Sequence, residues 1–154
     1  MHIGELLTKD RILNDADILS KKRALETLSE LLAQDGQLSS HEIFDTLLAR
    51  ERLGSTGLGH GVAIPHGRIP GLKQTQAAFI KLSGGIDFDA PDHKPVDLLF
   101  ALLVPEECTN EHLEMLAKLA ELFSDPATVQ QLRGAHDSES ALGLLNDWDA
   151  RHAA

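Results

Sequence analysis

Cysteine is all but missing from this 154-residue sequence, tyrosine is absent, and aromatic side chains of every kind make up 4%. The single cysteine, Cys108, excludes an intramolecular disulfide and fits a reducing compartment. No thiol-activating neighbour marks it as reactive. No stretch approaches the about 20 apolar residues needed to cross a bilayer. The opening segment MHIGELLTKDRILND has no apolar core of signal-peptide length. These absences predict a cytoplasmic chain with no membrane insertion. Basic residues are few as well, with 14 Lys and Arg against 24 Asp and Glu for a formal net charge of −10. Such a surface argues against nucleic acid or anionic lipid as partners, since both select positive charge, and leaves a basic protein partner open. No repeat, low-complexity tract or Pro/Gly/Ser-rich linker divides the chain, so residues 1–154 read as one domain able to bury its own core.

What is plentiful is histidine, eight residues in all. Around it the hydrophobic pattern is regular. Leu25, Leu28, Leu31 and Leu32 share a helical face after a cap at Ser20, with Gly36 suited to the stop. Ser39 and Glu42 have capping-box spacing ahead of Ile43, Phe44, Leu47 and Leu48, which places Arg50 near the end of a second helix, before Gly54. The period then shortens. Val62 to Ile64, Ala77 to Leu82 and Ile86 to Phe88 read as strands, and the apolar run Val96 to Val104, stopped by Pro105, suits a strand covered on both faces. Helical spacing returns with Leu113, Leu116, Leu119, Ala120 and Phe123 after a cap at Thr109 or Asn110. It continues after Asp125-Pro126 with Val129 and Leu132, and from Ser138 to Trp148. Two helices, a group of strands and three further helices predict a three-layer α/β/α sandwich with a mixed sheet.

The segment Gly54 to Arg68, GSTGLGHGVAIPHGR, has five glycines in fifteen residues. Glycine permits positive φ and close approach of backbone to a ligand. Pro65 biases Ile64 to an extended conformation, so His66 is expected at the end of a stiff strand, just before a glycine able to turn. Gly54 and Gly59 have P-loop spacing, but His60 stands where the lysine is required, which argues against a nucleotide site. His60 and His66 lack a carboxylate or thiol at ligand spacing, so no metal is expected. His2, His41, His93, His136 and His152 read as surface residues, and Lys21-Lys22-Arg23 as a solvated patch that opposes its helix dipole.

Glu51, Leu58-Gly59 and Val62-Ala63-Ile64-Pro65-His66-Gly67 resemble the active-histidine motif of the fructose/mannitol-type enzyme IIA domains of the bacterial phosphotransferase system. Residues 20–26, 50–57 and 95–105 are similar to its nitrogen-regulatory branch. His60 departs from that branch, which usually has a small polar residue between these glycines. The resemblance implies a phosphocarrier in which His66 is phosphorylated by an HPr-like carrier, with Arg50 and His112 at the positions of the family's assisting arginine and second histidine. Ser55, Thr56, Gly57, Gly59, Gly61 and Gly67 are the candidates for a phosphate-approaching loop. It implies no cofactor beyond the phosphoryl group that originates in phosphoenolpyruvate. The implied role is regulation of downstream target proteins, with sugar-specific transfer to a transporter subunit, or a binding module that is never phosphorylated, as the alternatives.

The chemistry suits these residue types. A neutral imidazole is nucleophilic near pH 7, arginine offers a permanent charge and a donor fork, and a first-turn residue such as His112 sits where free helix N–H groups favour anions.

Overall fold

A computed structural model describes residues 2–107 and 109–152; Cys108 and its expected inertness lie outside them. In chain order the elements are α1 (Ile3–Leu6), a 3-10 turn (Lys9–Arg11), β1 (Ile12–Ala16), α2 (Lys21–Leu32), α3 (Ser40–Arg52), β2 (Gly57–Gly59), β3 (Val62–Ala63), β4 (His66–Ile69), β5 (Gln76–Ile86), β6 (Val96–Pro105), α4 (Thr109–Phe123), α5 (Pro126–Arg133) and α6 (Ser138–Arg151). The sheet order is β1-β5-β6-β3-β2, with β4 also on β6. β1 runs parallel to β5, β5 antiparallel to β6, and β3 and β4 parallel to β6, so the sheet is mixed as expected.

The layers follow from side-chain alternation along β6. Leu98, Phe100, Leu102 and Val104 join a core with Ile3, Phe79, Met115, Leu119, Val129 and Trp148 beneath α1, α4, α5 and α6. Leu99, Ala101 and Leu103 join the opposite core with Leu25, Leu28, Ile43 and Leu47 beneath α2 and α3. Each face therefore receives every second residue of one apolar run, which is why that run carries no polar alternation. Three helices start where the sequence predicts, whereas α4 begins at Thr109 itself, so Thr109 and Asn110 lie within its first turn and not at its cap. Ser20 accepts from the N–H of Arg23 and Ser39 from that of Glu42, each at 3.1 Å. Asp125 accepts from Ala127 ahead of Pro126 in the first turn of α5.

Several elements differ from expectation, and α1, the 3-10 turn, β2 and β4 have no counterpart in the predicted set. The strands predicted at Ala77–Leu82 and Ile86–Phe88 are largely one strand, Gln76–Ile86, whose register against β6 breaks between Lys81 and Ile86. β1 escapes a hydrophobic reading because Asn14 and Asp15 interrupt it. On α4 the buried face runs through Met115, Leu119, Leu122 and Phe123, while Leu113 is 62% exposed and Ala120 faces solvent. Met115, Leu119, Leu122 and Phe123, with the half-buried Leu116, form one contiguous stripe, and Leu113 and Ala120 fall beyond its edge.

Candidate active site

β3 and β4 form one extended passage beside β6. Val62 pairs with Leu98 and His66 with Leu102, so the register is unchanged across Ile64-Pro65. The carbonyl of Pro65 accepts from the N–H of Leu102 at 2.9 Å, which bridges the gap left by the imino acid. His66 is the first residue of β4. Ile64 belongs to the core under α4, and Ile69 to the core under α3. Strand alternation therefore puts His66 and Arg68 on the α4 side and Gly67 on the α3 side. The expected turn at Gly67 is absent. The glycine lies within β4, where an added Cβ would stand 2.7 Å from Cγ2 of Thr46 on α3. Close approach of a helix requires this glycine, not backbone reversal.

The ring of His66 is fixed by its own strand. Nδ1 lies 2.8 Å from the carbonyl oxygen of Ile64. A carbonyl only accepts, so the neutral ring donates from Nδ1 and carries its lone pair on Nε2. Burial pushes the His66 pKa below its ordinary value and the Arg50 charge adds to this, against the Ile64 carbonyl and the Glu51 carboxylate, which favour the cation. His112, in the first turn of α4, stands edge-on to His66 with ring centroids 5.2 Å apart. Its pKa is also lowered, first by burial and then by His66, Arg68 and Arg50. Its Nδ1 is buried and has no hydrogen-bond partner among the described residues. Arg50, in the last turn of α3, donates from Nη1 to the carbonyl of Gly54 at 2.8 Å. His66, Arg50 and His112 line one cleft, together with Arg68, Gly67 and Glu106. The structure thus brings together the three residues singled out as catalytic candidates and adds Arg68, which sequence reasoning left aside although strand period alone puts it on the histidine's face.

A buried ion pair anchors the end of α3 behind this cleft. The Glu51 side chain is 2% exposed and lies 3.0 Å from Lys21 Nζ. It also accepts from the hydroxyl and the N–H of Thr56. Lys21 stands 4.6 Å over the ring of Phe88 and donates to its carbonyl. The expected solvated patch therefore holds for Lys22 and Arg23, which are exposed, and not for Lys21. The available signal was the unfavourable placement of a cation at a helix start, which a buried carboxylate repays.

Most of the glycine-rich set has other contacts. Ser55 donates to Phe88, and Gly57 packs against Ala90. Gly59, His60 and Gly61 form the tip between β2 and β3, all three with positive φ. The His60 N–H donates to Asp92 and its carbonyl accepts from Arg133, which also grips Asp97 through Nε at 2.9 Å. A Cβ at Gly61 would collide with Arg133. Of Ser55, Thr56, Gly57, Gly59, Gly61 and Gly67, only Gly67 is among the cleft's lining residues. His2, His41, His93, His136 and His152 are exposed. Among the described residues no group of three or more His, Cys, Asp or Glu is placed to hold a metal ion, and no helix is long and apolar enough to cross a membrane.

The fold is that of the enzyme IIA components of phosphotransferase systems. The family described as "Phosphoenolpyruvate-dependent sugar phosphotransferase system, EIIA 2" matches residues 5–148, and the chain belongs to it. Within that family it is similar to nitrogen regulatory proteins. The Nitrogen regulatory protein of Pseudomonas aeruginosa is 41% identical over 148 residues, covering 96% of each chain. The crystal structure of Nitrogen Regulatory Protein IIA-Ntr from Neisseria meningitidis superposes with a TM-score of 0.90 at 49% identity, covering 93% of this chain and 98% of that one. A complex of enzyme IIA mannitol with phosphorylated enzyme IIB mannitol from Escherichia coli shares the fold at 21% identity, with a TM-score of 0.76, covering 90% of this chain and 96% of that one.

Proposed function

We propose that this protein is a cytoplasmic histidine phosphocarrier of the nitrogen-regulatory branch, phosphorylated on Nε2 of His66 by an HPr-like carrier. Its phosphorylation state then governs its association with downstream target proteins. The observation that carries this reading is the 2.8 Å contact of His66 Nδ1 with the Ile64 carbonyl, which fixes the tautomer and leaves Nε2 as the nucleophile. In the transfer, the bond between phosphorus and the donor's ring nitrogen breaks as the bond to Nε2 forms. The donor leaves as a neutral imidazole with the proton on its other nitrogen retained. His66 keeps its Nδ1 proton, and the Ile64 carbonyl stabilises the charge that develops on the ring. No proton has to move and no cofactor is required. Arg50 neutralises equatorial oxygens in a loose transition state, and His112 donates a hydrogen bond to the phosphoryl group.

The test is incubation with phosphoenolpyruvate, the first enzyme of the relay and its carrier, followed by intact-protein mass spectrometry. The reading expects an acid-labile phosphoryl adduct that disappears in His66→Ala. An unmodified wild-type protein overturns it and favours a binding module in which the histidines only recognise partners. The family's description as a sugar phosphotransferase component supports one further reading, transfer to a sugar-transporter subunit. Initial rates with the phosphorylated carriers of the two branches separate them, and faster transfer from the sugar-branch carrier overturns the regulatory assignment.

A further inference from the structure

We propose that Arg68 is a second phosphate-binding cation, contacting the phosphoryl group on His66 from the α4 side of β4 while Arg50 contacts it from the α3 side; this rests on the phosphocarrier reading above. His66 and Arg68 are two residues apart on one strand, so their side chains leave the same face, and both line the cleft that also holds Arg50 and His112. Arg68 is exposed at the cleft mouth. Its charge reaches His112 and helps hold that ring neutral.

Charge balance calls for such a group. A phosphoryl group brings nearly two negative charges and three acceptor oxygens. Arg50 has already committed Nη1 to the Gly54 carbonyl. His112 in its neutral form supplies a hydrogen bond without a full charge. Glu106, on the same cleft, adds a carboxylate. One arginine then leaves the dianion undercompensated. A guanidinium approaching from the α4-facing side of β4 completes the clamp, and its planar fork suits two phosphoryl oxygens at once.

The experiment compares wild type, Arg68→Gln and Arg68→Lys in the reconstituted relay, reading the initial rate of labelling at His66, the hydrolysis half-life of the purified phosphoprotein and the thermal midpoint. The expected result for Arg68→Gln is a loss of about tenfold in labelling rate, the factor carried by one charge-assisted contact. The phosphohistidine half-life changes severalfold and the thermal midpoint stays at the wild-type value. Arg68→Lys recovers much of the rate. A purely structural residue would leave the hydrolysis half-life of a folded variant unchanged. Arg68→Gln with wild-type rate and half-life, on a labelled wild-type background, overturns the proposal alone. A wild type that is not labelled at His66 overturns the phosphocarrier reading and this proposal with it.

Discussion

The imidazole of His112 stands edge-on to that of His66, with centroids 5.2 Å apart and ring planes at 68°. Burial and the Arg50 charge favour the neutral state of both rings, and His66 and Arg68 add to this at His112. Their folded-state pKa values lie below the ordinary histidine value, so the folded protein binds fewer protons than the unfolded chain just below pH about 6.5. The contribution of these two rings to stability is therefore complete above that pH and falls as pH drops through the window down to the native values. Labelling should hold its neutral-pH rate below pH about 6.5 and fail only as His66 finally charges. Ring-proton NMR titration checks this, and in His66→Gln the His112 pKa should rise toward its ordinary value. A His66 midpoint at or above the ordinary value would remove desolvation as the dominant influence.

His112→Ala tests the same pair kinetically. On the proposed phosphocarrier reading His66 remains as nucleophile, held by the Ile64 carbonyl, so acceptance from the carrier should slow only severalfold. Onward transfer or hydrolysis of the phosphoprotein should change more, because the phosphoryl group loses a donor from its α4 side. Rapid-quench labelling in both directions reads the two effects separately. Wild-type rates in both would make His112 a bystander.

Arg50→Ala should slow labelling by about one to two decades, as expected for losing a charged donor of about 1.5–3 kcal/mol in the transition state. The fold should survive. The guanidinium is only partly buried, and its helix-end contact with Gly54 contributes about 0.5–1 kcal/mol. Labelling kinetics with a urea unfolding curve on the same sample check both halves. A wild-type rate in a folded variant would take Arg50 out of the site.

Much of this arrangement is legible in the sequence. The Val96–Val104 run announces a strand covered on both faces, Ser20 and Ser39 announce their helices, and the segment around Pro65 singles out His66. Non-local packing hides the rest. Gly67 reads as a turn residue because a lone glycine looks the same whether it permits a positive φ or a close neighbour, and Thr46, which makes the difference, is 21 positions earlier in the chain. Lys21 reads as solvated because Glu51, its partner, lies on another helix. Leu113 fits a helical stripe by spacing yet projects to solvent beside His112, since Met115, Leu119 and Leu122 define the better face.

Lys21→Met should destabilise the protein by about 2–4 kcal/mol, because it strands a carboxylate that is 2% exposed. The Thr56 donors compensate only part of that charge. Lys21→Met/Glu51→Leu should recover most of the loss, since an apolar pair of similar volume avoids the stranded charge. Denaturant midpoints for the two single variants and the double give the coupling. Additive losses would show that the pair is not energetically linked. Labelling at His66 should weaken in Lys21→Met even where the protein stays folded, because Glu51 precedes the start of the loop that Arg50 caps.

Gly67 and Thr46 set the distance between α3 and β4, and hence between Arg50 and His66. A Cβ at position 67 would meet Thr46 Cγ2 at 2.7 Å. Thr46 cannot simply rotate away without giving up the 3.1 Å bond from its hydroxyl to the Glu42 carbonyl. Gly67→Ala should therefore cost about 1–3 kcal/mol of overpacking. Thr46→Ser removes the offending methyl and keeps the hydroxyl, so alone it should cost less than about 1 kcal/mol. Combined with Gly67→Ala it should return about 1 kcal/mol or more of coupling. The labelling rate should follow the same cycle, low in Gly67→Ala and partly restored in the double variant, because a displaced β4 carries Nε2 out of line with the cations. If Gly67→Ala is as stable and as readily labelled as wild type, the close approach does not position the histidine.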